Sequence, residues 1–467
     1  MKYSAINAHW QRLRQSAVFY GVFATGVRVG ANLLLLPLLL TRVPSAELAL
    51  WYVFLALGGF ANLADFGFGP AISRVYSFLW AGAEDFDAEG LRPPPQNHVP
   101  NLPRIRQLTA TVRFFYWRLS LAATLLLGAA GTVVLMKPTA AVADPRLAWI
   151  AWAAYLVTIG YSLATSWWML ACQGVGRVRE LQAAYTWSGL AYVVCAAALL
   201  VAGWGVLAIV VATAVRGVVT REYCRWVYYT AVPKIPASGS RPEREILKRL
   251  WPNASKFGMI SVGAFLLGNG SVLISSHFLD SKVTASFGVT AQIGTFLMNF
   301  AALWLAVKWP HLTMLRTQGR LEEMSVLFAR RLAFTMATFI GLAAFVVVAG
   351  NPLLAWKGTQ TRLLATPALI LYFGYLAQQV FYVQFGSLAY TENVVPFFKV
   401  SMFTGVWMLT LSFIMTGALG FWGMLTAPLL AESAWSNWYT VKRGFSGQPL
   451  TPRQFLRAAL SGKGPAR

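Results

Sequence analysis

Residues 16–40 read SAVFYGVFATGVRVGANLLLLPLLL, a run of 25 residues that carries a single charge, Arg28. About 20 apolar residues in an α-helix are enough to cross the roughly 30 Å of hydrocarbon in a bilayer. The basic residues Lys2, Arg12 and Arg14 precede the run, but no small-residue cleavage site interrupts it. The stretch therefore predicts a retained first transmembrane helix with an arginine near its middle.

Apolar runs of this kind recur along the chain, which has 467 residues, 57% of them hydrophobic and 12% charged. Its mean hydropathy is +0.55. Windows bounded by charged residues, Gly or Pro predict about twelve spans. These lie near residues 16–40, 46–66, 110–136, 147–171, 180–201, 204–227, 254–279, 283–307, 328–349, 363–390, 395–417 and 419–440. The pattern predicts an all-α integral membrane protein with no room for a globular domain.

Lysine and arginine are distributed unevenly between alternate loops. If the N-terminus is cytoplasmic, the outward turns carry only Arg42, Lys137, Arg146, Lys282, Lys357 and Arg362. The inward segments then hold most of the remaining loop cations, which is typical of cytoplasmic loops. We therefore expect both termini to be cytoplasmic and the number of spans to be even.

A basic segment containing Pro and Ser divides the chain almost in half. It predicts an N-terminal six-helix bundle over residues 1–231, a cytoplasmic linker over 232–252, a C-terminal six-helix bundle over 253–441 and a basic cytoplasmic tail over 442–467. Two halves with six spans each suggest an internal duplication. Because six is even, the repeats would be parallel and would enclose a central cleft.

The net charge of +23 at pH 7 is explained by topology and by contact with anionic lipids. The basic residues are scattered over short loops and form no basic helix, so we expect no nucleic-acid partner. Cys172, Cys195 and Cys224 form no CxxC pair, and no GxxxxGK[ST] motif is present. The sequence therefore predicts no metal, no cofactor, no nucleotide site and no enzymatic activity.

Two arginines, Arg28 and Arg216, lie near mid-depth in their predicted spans. An arginine in hydrocarbon costs roughly 3 kcal/mol, and such residues usually face a bundle interior or a wet cavity. They therefore indicate a path for an anion. Arg118, Arg221 and Lys308 lie closer to the cytoplasmic side, where snorkelling to the interface is the alternative interpretation.

Three stretches of the sequence carry a family resemblance. They are Arg28-Val29-Gly30-Ala31-Asn32, the turn Ser45-Ala46-Glu47 with Trp51-Tyr52, and the block Asp65-Phe66-Gly67-Phe68-Gly69-Pro70-Ala71 with Arg74. They resemble the N-terminal region of bacterial O-antigen and exopolysaccharide flippases, in the multidrug/oligosaccharidyl-lipid/polysaccharide exporter superfamily. The turn between Phe278-Leu279-Asp280 and Phe287-Gly288 is similar to the corresponding family turn.

This resemblance implies two six-helix bundles arranged as a V. It also implies transport of an undecaprenyl-pyrophosphate-linked glycan between the leaflets of the bacterial inner membrane by alternating access, together with contacts to membrane lipids and to other polysaccharide assembly proteins. The chain departs from the fourteen spans typical of lipid II flippases.

For such a cargo, fixed cations must replace the hydration of the pyrophosphate, and arginine suits this by its permanent charge and fork geometry. The candidate pyrophosphate ligands in the central cleft are Arg28, Arg216, Arg118, Arg221 and Lys308. The candidate glycan contacts are Tyr161, Trp168, Gln378 and Tyr382, which could equally bond between helices.

Two acidic residues in the spans have open roles. Asp65 precedes Gly-Phe-Gly-Pro, so it could cap a helix break or pair with an arginine. Glu432 lies deeper and could pair with an arginine or load a proton during the cycle.

Two other functions fit less well. A drug/cation antiporter of the same superfamily would need acidic cavity residues, and the spans hold more arginine than acid. A glycan polymerase or glycosyltransferase in the membrane would need a large outward loop, and every outward loop is predicted to be short.

Overall fold

The computed structural model describes residues 35–85, 99–232, 243–390, 397–446 and 448–461. Within these ranges the chain is helical and contains no strand. Residues 35–42 are helical and are followed by sixteen helices. These are α1 (Ser45–Ala64), α2 (Phe68–Trp80), α3 (Leu102–Ala140), α4 (Pro145–Ala164), α5 (Trp167–Gly174), α6 (Val178–Val201), α7 (Gly205–Ala231), α8 (Arg244–Phe278), α9 (Ser281–Ala306), α10 (Trp309–Thr317), α11 (Leu321–Trp356), α12 (Thr366–Tyr390), α13 (Phe398–Leu419), α14 (Phe421–Ala434), α15 (Ser436–Phe445) and α16 (Pro452–Ser461).

Each predicted span from the second to the twelfth coincides with helix. Six stretches are by themselves long and apolar enough to cross a membrane: Leu102–Ala140, Pro145–Gly174, Val178–Val201, Ser281–Ala306, Leu321–Trp356 and Phe398–Leu419. Helix α7 falls outside this set, and it contains Arg216, Arg221, Glu222 and Arg225. The protein is a multi-pass membrane protein. The count of twelve crossings and the cytoplasmic location of both termini stay predictions.

Local sequence sets several helix ends. The side chain of Asn101 accepts a hydrogen bond from the backbone N–H of Arg104 at 3.2 Å and so caps α3. Asp144 caps α4 by accepting from the N–H groups of Arg146 and Leu147, and Pro145 occupies the first helical position. These caps satisfy N–H groups that have no partner within the helix.

The helix break expected after Asp65 separates α1 from α2. Phe66 and Gly67 adopt positive φ angles of 41° and 75°. Asp65 Oδ2 accepts a hydrogen bond from the Gly69 N–H at 2.8 Å, while the Tyr116 hydroxyl donates to Oδ1. Among the described residues, no arginine or lysine pairs with Asp65, so its carboxylate acts as a cap.

The helices form two compact units, one extending to Val262 and the other beginning at Gly263. The division falls inside α8, because the first turns of this helix pack on the first unit. Ile246, Leu250 and Ala254 of α8 belong to a hydrophobic core to which each of the helices from α2 to α7 contributes. The predicted limits of the two bundles and of the linker stay predictions.

Candidate functional site

Helices α6 and α7 form a hairpin and face each other with polar stripes. The stripe on α7 comprises residues spaced i, i+3, i+4, i+7 and i+8: Thr213, Arg216, Gly217, Thr220 and Arg221. The stripe on α6 has the same spacing over two turns: Tyr185, Ser188, Gly189 and Tyr192. This spacing places residues on one face of a helix.

The two stripes line one cavity of about 290 Å³, to which α4 contributes Ser162. Gly217 allows α4 and α7 to approach, because a Cβ at this position would lie 3.1 Å from Ser162 Oγ. The lining therefore combines two guanidinium groups with hydroxyl groups. The guanidinium groups can donate hydrogen bonds to an anion, whereas the hydroxyls of Ser188, Thr213 and Thr220 donate to backbone carbonyls of their own helices. We call this space the α6–α7 cavity.

Arg216 lies near the middle of α7, about 17 Å along the axis from Gly205 at 1.5 Å per residue. Its side chain is half-buried, and its Cζ lies 4.9 Å from the centre of the Tyr192 ring. Arginine stacked in this way on an aromatic ring keeps its N–H edge free for a ligand. Among the described residues, no acidic side chain forms an ion pair with Arg216.

Arg221 lies five residues further along α7, about 7.5 Å further from Gly205 along the axis. Its Nη2 donates to the backbone carbonyl of Ser162 at 3.2 Å. Its Nε is buried and has no hydrogen-bond partner within the described part of the chain. A buried donor without a partner is costly, so Arg221 retains capacity for an additional acceptor. The α6–α7 cavity therefore presents two cations that no described carboxylate neutralises.

The remaining candidate ligands lie elsewhere. Arg118 is exposed on α3, with its Cζ 4.1 Å from the centre of the Phe114 ring. Lys308 belongs to the second unit, where it precedes α10. Arg28 lies outside the described residues. Of the five predicted pyrophosphate ligands, the structure thus brings Arg216 and Arg221 together in one cavity.

The predicted glycan contacts occupy different environments. The Tyr161 hydroxyl donates to Glu222 Oε1 at 3.2 Å on an exposed face. Trp168 is buried against Trp167 and Tyr228, so its ring packs the core of the first unit. Gln378 Nε2 donates to Ser433 Oγ at 2.9 Å and links α12 with α14.

Glu432 forms the centre of a buried polar cluster in the second unit. It is completely inaccessible to solvent, and its Oε1 accepts hydrogen bonds from Gln379 Nε2 at 2.8 Å and from the Tyr375 hydroxyl at 3.2 Å. The hydroxyl of Tyr382 lies beside the same carboxylate. Oε2 accepts no hydrogen bond within the described residues, and no arginine or lysine there pairs with Glu432. A carboxylate buried in a membrane span without a cation is a candidate for ion coupling.

The hydroxyl groups that α6 and α7 contribute to the α6–α7 cavity were not predicted. These residues lie in spans that are apolar overall, so the mean hydropathy of the spans gives no sign of them. They are Tyr185, Ser188, Tyr192, Thr213 and Thr220. The signal that would have found them is the shared spacing of polar residues on two consecutive helices joined by a short turn.

The chain matches no protein-family model and no curated protein. Solved structures do resemble it. Lipid II flippase MurJ in an inward closed conformation superposes with a TM-score of 0.63 at 11% identity, over 95% of this chain and 90% of that one. An inward-facing multidrug resistance MATE family transporter of the MOP superfamily gives a TM-score of 0.60 at 15% identity, over 91% and 95% of the two chains.

A third structure is a MOP superfamily transporter from Pyrococcus furiosus, whose binding pocket is described as reversed in polarity. It gives a TM-score of 0.56 at 14% identity and covers 95% of each chain. At these identities the likeness concerns the fold. The chain therefore has the fold shared by MATE transporters and the lipid II flippase of the MOP superfamily.

Proposed function

We propose that this protein is a flippase that carries a polyprenyl-pyrophosphate-linked oligosaccharide across the bacterial inner membrane for cell-surface polysaccharide synthesis. The observation that carries the proposal is the α6–α7 cavity, in which Arg216 and Arg221 face the same space without a carboxylate partner among the described residues. The fold supports a transporter or flippase that works by alternating access.

The chemistry of the cavity suits a diphosphate. Phosphate oxygens accept charge-assisted hydrogen bonds, and these are about twice as strong as neutral ones. Arginine provides five donors in a planar fork that matches the geometry of phosphate oxygens. In this proposal the cavity takes the headgroup, the polyprenyl tail stays in lipid, and no cofactor takes part.

The energy source in the proposal is an ion gradient. The sequence has no P-loop motif for nucleotide binding. Glu432 offers a buried carboxylate that no described cation neutralises, and a proton or a small cation could occupy it during the cycle.

A drug/cation antiporter is the second candidate, and the MATE-like fold with the buried Glu432 favours it. Two unpaired arginines in the α6–α7 cavity would repel a cationic drug, which is why we rank it lower. A membrane glycan polymerase or glycosyltransferase has no supporting observation among the described residues.

Replacing Arg216 tests the leading proposal. Proteoliposomes would hold the purified protein and lipid-linked oligosaccharide from a producing strain, and an impermeant glycosidase would measure the fraction of glycan that becomes accessible. We expect Arg216→Ala to slow translocation by about tenfold or more, since a lost hydrogen bond to a charged group costs about 1.5–3 kcal/mol. Arg216→Lys, which keeps the charge without the fork, should retain part of the rate.

Arg225→Ala is the matched control. Arg225 lies on the same helix, is exposed and pairs with Glu222 at 3.1 Å, so its loss should leave the rate unchanged. Equal rates for wild type and Arg216→Ala would refute the proposal. Efflux of the cationic dye ethidium from cells, lost in the Glu432→Gln variant, would favour the antiporter instead.

A further inference from the structure

A second cavity, of about 910 Å³, lies within the second unit between α11, α12, α15 and α16. Its walls are almost entirely carbon and include Leu332, Met336, Phe381 and Leu456. Lys442 is the one lysine or arginine among the lining residues. We call this space the α16 groove. Cavities of this size and apolar character hold small ligands in many proteins.

Helix α16 is amphipathic and presents three different columns of side chains. Phe455 and Ala458 are buried, and the Phe455 ring lies 5.3 Å from that of Phe445 and 5.9 Å from that of Phe385, so this column fixes α16 to the second unit. Leu456 and Leu460, spaced i and i+4, form a second column that is 62% and 80% exposed. The third column is cationic and consists of Arg453 and Arg457.

This arrangement is typical of a helix that lies in the membrane interface. Such helices bury their apolar side chains in the acyl region and hold their cations at the level of the headgroups. The exposed column of Leu456 and Leu460 lines the α16 groove. Lys442, which is also exposed, is another of its lining residues. The groove therefore has an apolar body and a basic residue on one side, as a phospholipid requires.

The charge of the surrounding sequence determines which lipid fits. Residues 436–467 include the basic residues Lys442, Arg443, Arg453, Arg457, Lys463 and Arg467 and contain no acidic residue. A basic segment next to the membrane attracts anionic lipid with about 1 kcal/mol for each cation near the surface. A zwitterionic lipid gains no such net attraction.

We propose that the α16 groove binds an acyl chain of an anionic phospholipid of the surrounding membrane, with the lipid phosphate at Lys442. The site is independent of the α6–α7 cavity and of the glycan cargo. Bound lipid would fill the space between α11, α15 and α16 and would hold the C-terminal helix against the second unit.

Native mass spectrometry of the full chain tests the site. The protein is delipidated, incubated with phosphatidylglycerol or with phosphatidylcholine, and the retained lipid is counted. We expect wild type to retain one phosphatidylglycerol in preference to phosphatidylcholine. Lys442→Ala should lower this retention about fivefold, because one cation is lost. Lys399→Ala is the control, since Lys399 is an exposed lysine at the start of α13 in the same unit.

A second measurement needs no change to the charge. Trp438 lines the groove, so phospholipids with brominated acyl chains should quench its fluorescence on contact. The chain has nineteen tryptophans. The difference in quenching between wild type and Trp438→Phe therefore gives the contribution of Trp438 alone. We expect the Trp438 component to be quenched more strongly by brominated phosphatidylglycerol than by brominated phosphatidylcholine.

Three outcomes would overturn the proposal. They are equal retention of the two phospholipids by wild type, unchanged retention in Lys442→Ala, and stoichiometric displacement of phosphatidylglycerol by polyprenyl pyrophosphate. The third would assign the groove to the tail of the transported lipid. None of the three depends on Arg216, so failure of this proposal is distinguishable from failure of the proposed transport function.

Discussion

At the scale of single residues, the α6–α7 cavity and the buried polar cluster of the second unit hold charged groups of opposite sign. The α6–α7 cavity of the first unit contains Arg216 and Arg221, whereas the polar cluster of the second unit surrounds Glu432. The sequence raised the alternative that Glu432 pairs with an arginine. Its described partners are instead the amide of Gln379 and the hydroxyls of Tyr375 and Tyr382. This leaves proton or cation loading as the hypothesis to test.

Glu432→Gln tests that hypothesis with little disturbance of the packing. Glutamine has the same shape and can still accept from Tyr375, but it cannot take up a proton or hold a cation by charge. We expect the variant to fold and to lose the stimulation of glycan translocation by an imposed ion gradient. The measurement is the glycosidase assay in proteoliposomes with and without a pH or sodium gradient.

Glu322→Gln is the control for this substitution, because Glu322 is exposed in the first turn of α11. It should respond to the gradient as wild type does. A Glu432→Gln variant whose translocation is still accelerated by both gradients would show that the carboxylate has a structural role alone.

At the scale of elements, the break between α1 and α2 depends on Gly67. Its φ of 75° suits glycine, and a Cβ at this position would lie 2.5 Å from the carbonyl oxygen of Ala254 and 2.6 Å from the N of Gly258, both on α8. The backbone of α8 cannot yield as a flexible side chain can. The absence of a side chain at Gly67 thus sets how closely the break packs on the start of α8.

Gly67→Ala should therefore destabilise the protein more than an ordinary loop substitution. Gly176 is a matched control, since its φ is 78° and a Cβ there would meet no atom within 4 Å. We expect Gly176→Ala to cost about 1 kcal/mol for the left-handed conformation. Gly67→Ala should cost about 3 kcal/mol, because the clash adds to the same penalty. Thermal unfolding in detergent, followed by circular dichroism, would measure both, and equal shifts would contradict this explanation.

Elements were predictable from the sequence where a local signal defines them. Apolar runs located the helices, and Asp65 with its Gly-Phe-Gly-Pro sequence located the break. The kink between α4 and α5 was not predicted, because Thr165 and Ser166 turn the chain there without glycine or proline. The membership of the α6–α7 cavity was not predicted either. It depends on which faces of three helices meet, and only tertiary packing decides this.

At the scale of the whole molecule, charges from distant parts of the sequence meet at the start of α8. Asp85 pairs with Arg104 at 3.1 Å and with Arg249 at 2.8 Å. Glu243 accepts from the same Arg104 at 3.0 Å and from Gln107 Nε2 at 2.7 Å. The chain just after α2 thus interacts with the starts of α3 and α8. Their contacts fix the helix that leads from the first unit into the second.

Asp85→Asn removes the charge shared by both arginines and should loosen the first turns of α8. The groups are only partly exposed and form a network, so their effect should exceed that of an isolated surface pair. We expect amide hydrogen exchange of residues 244–251 to accelerate about fivefold at low ionic strength. At 1 M salt the difference should shrink, because the Debye length falls to about 3 Å.

Glu180→Gln, which breaks an exposed pair with Arg177 on α6, should leave this exchange unchanged. Exchange at 244–251 that is the same in Asp85→Asn and wild type would show that apolar contacts of Ile246 and Leu250 hold α8 by themselves.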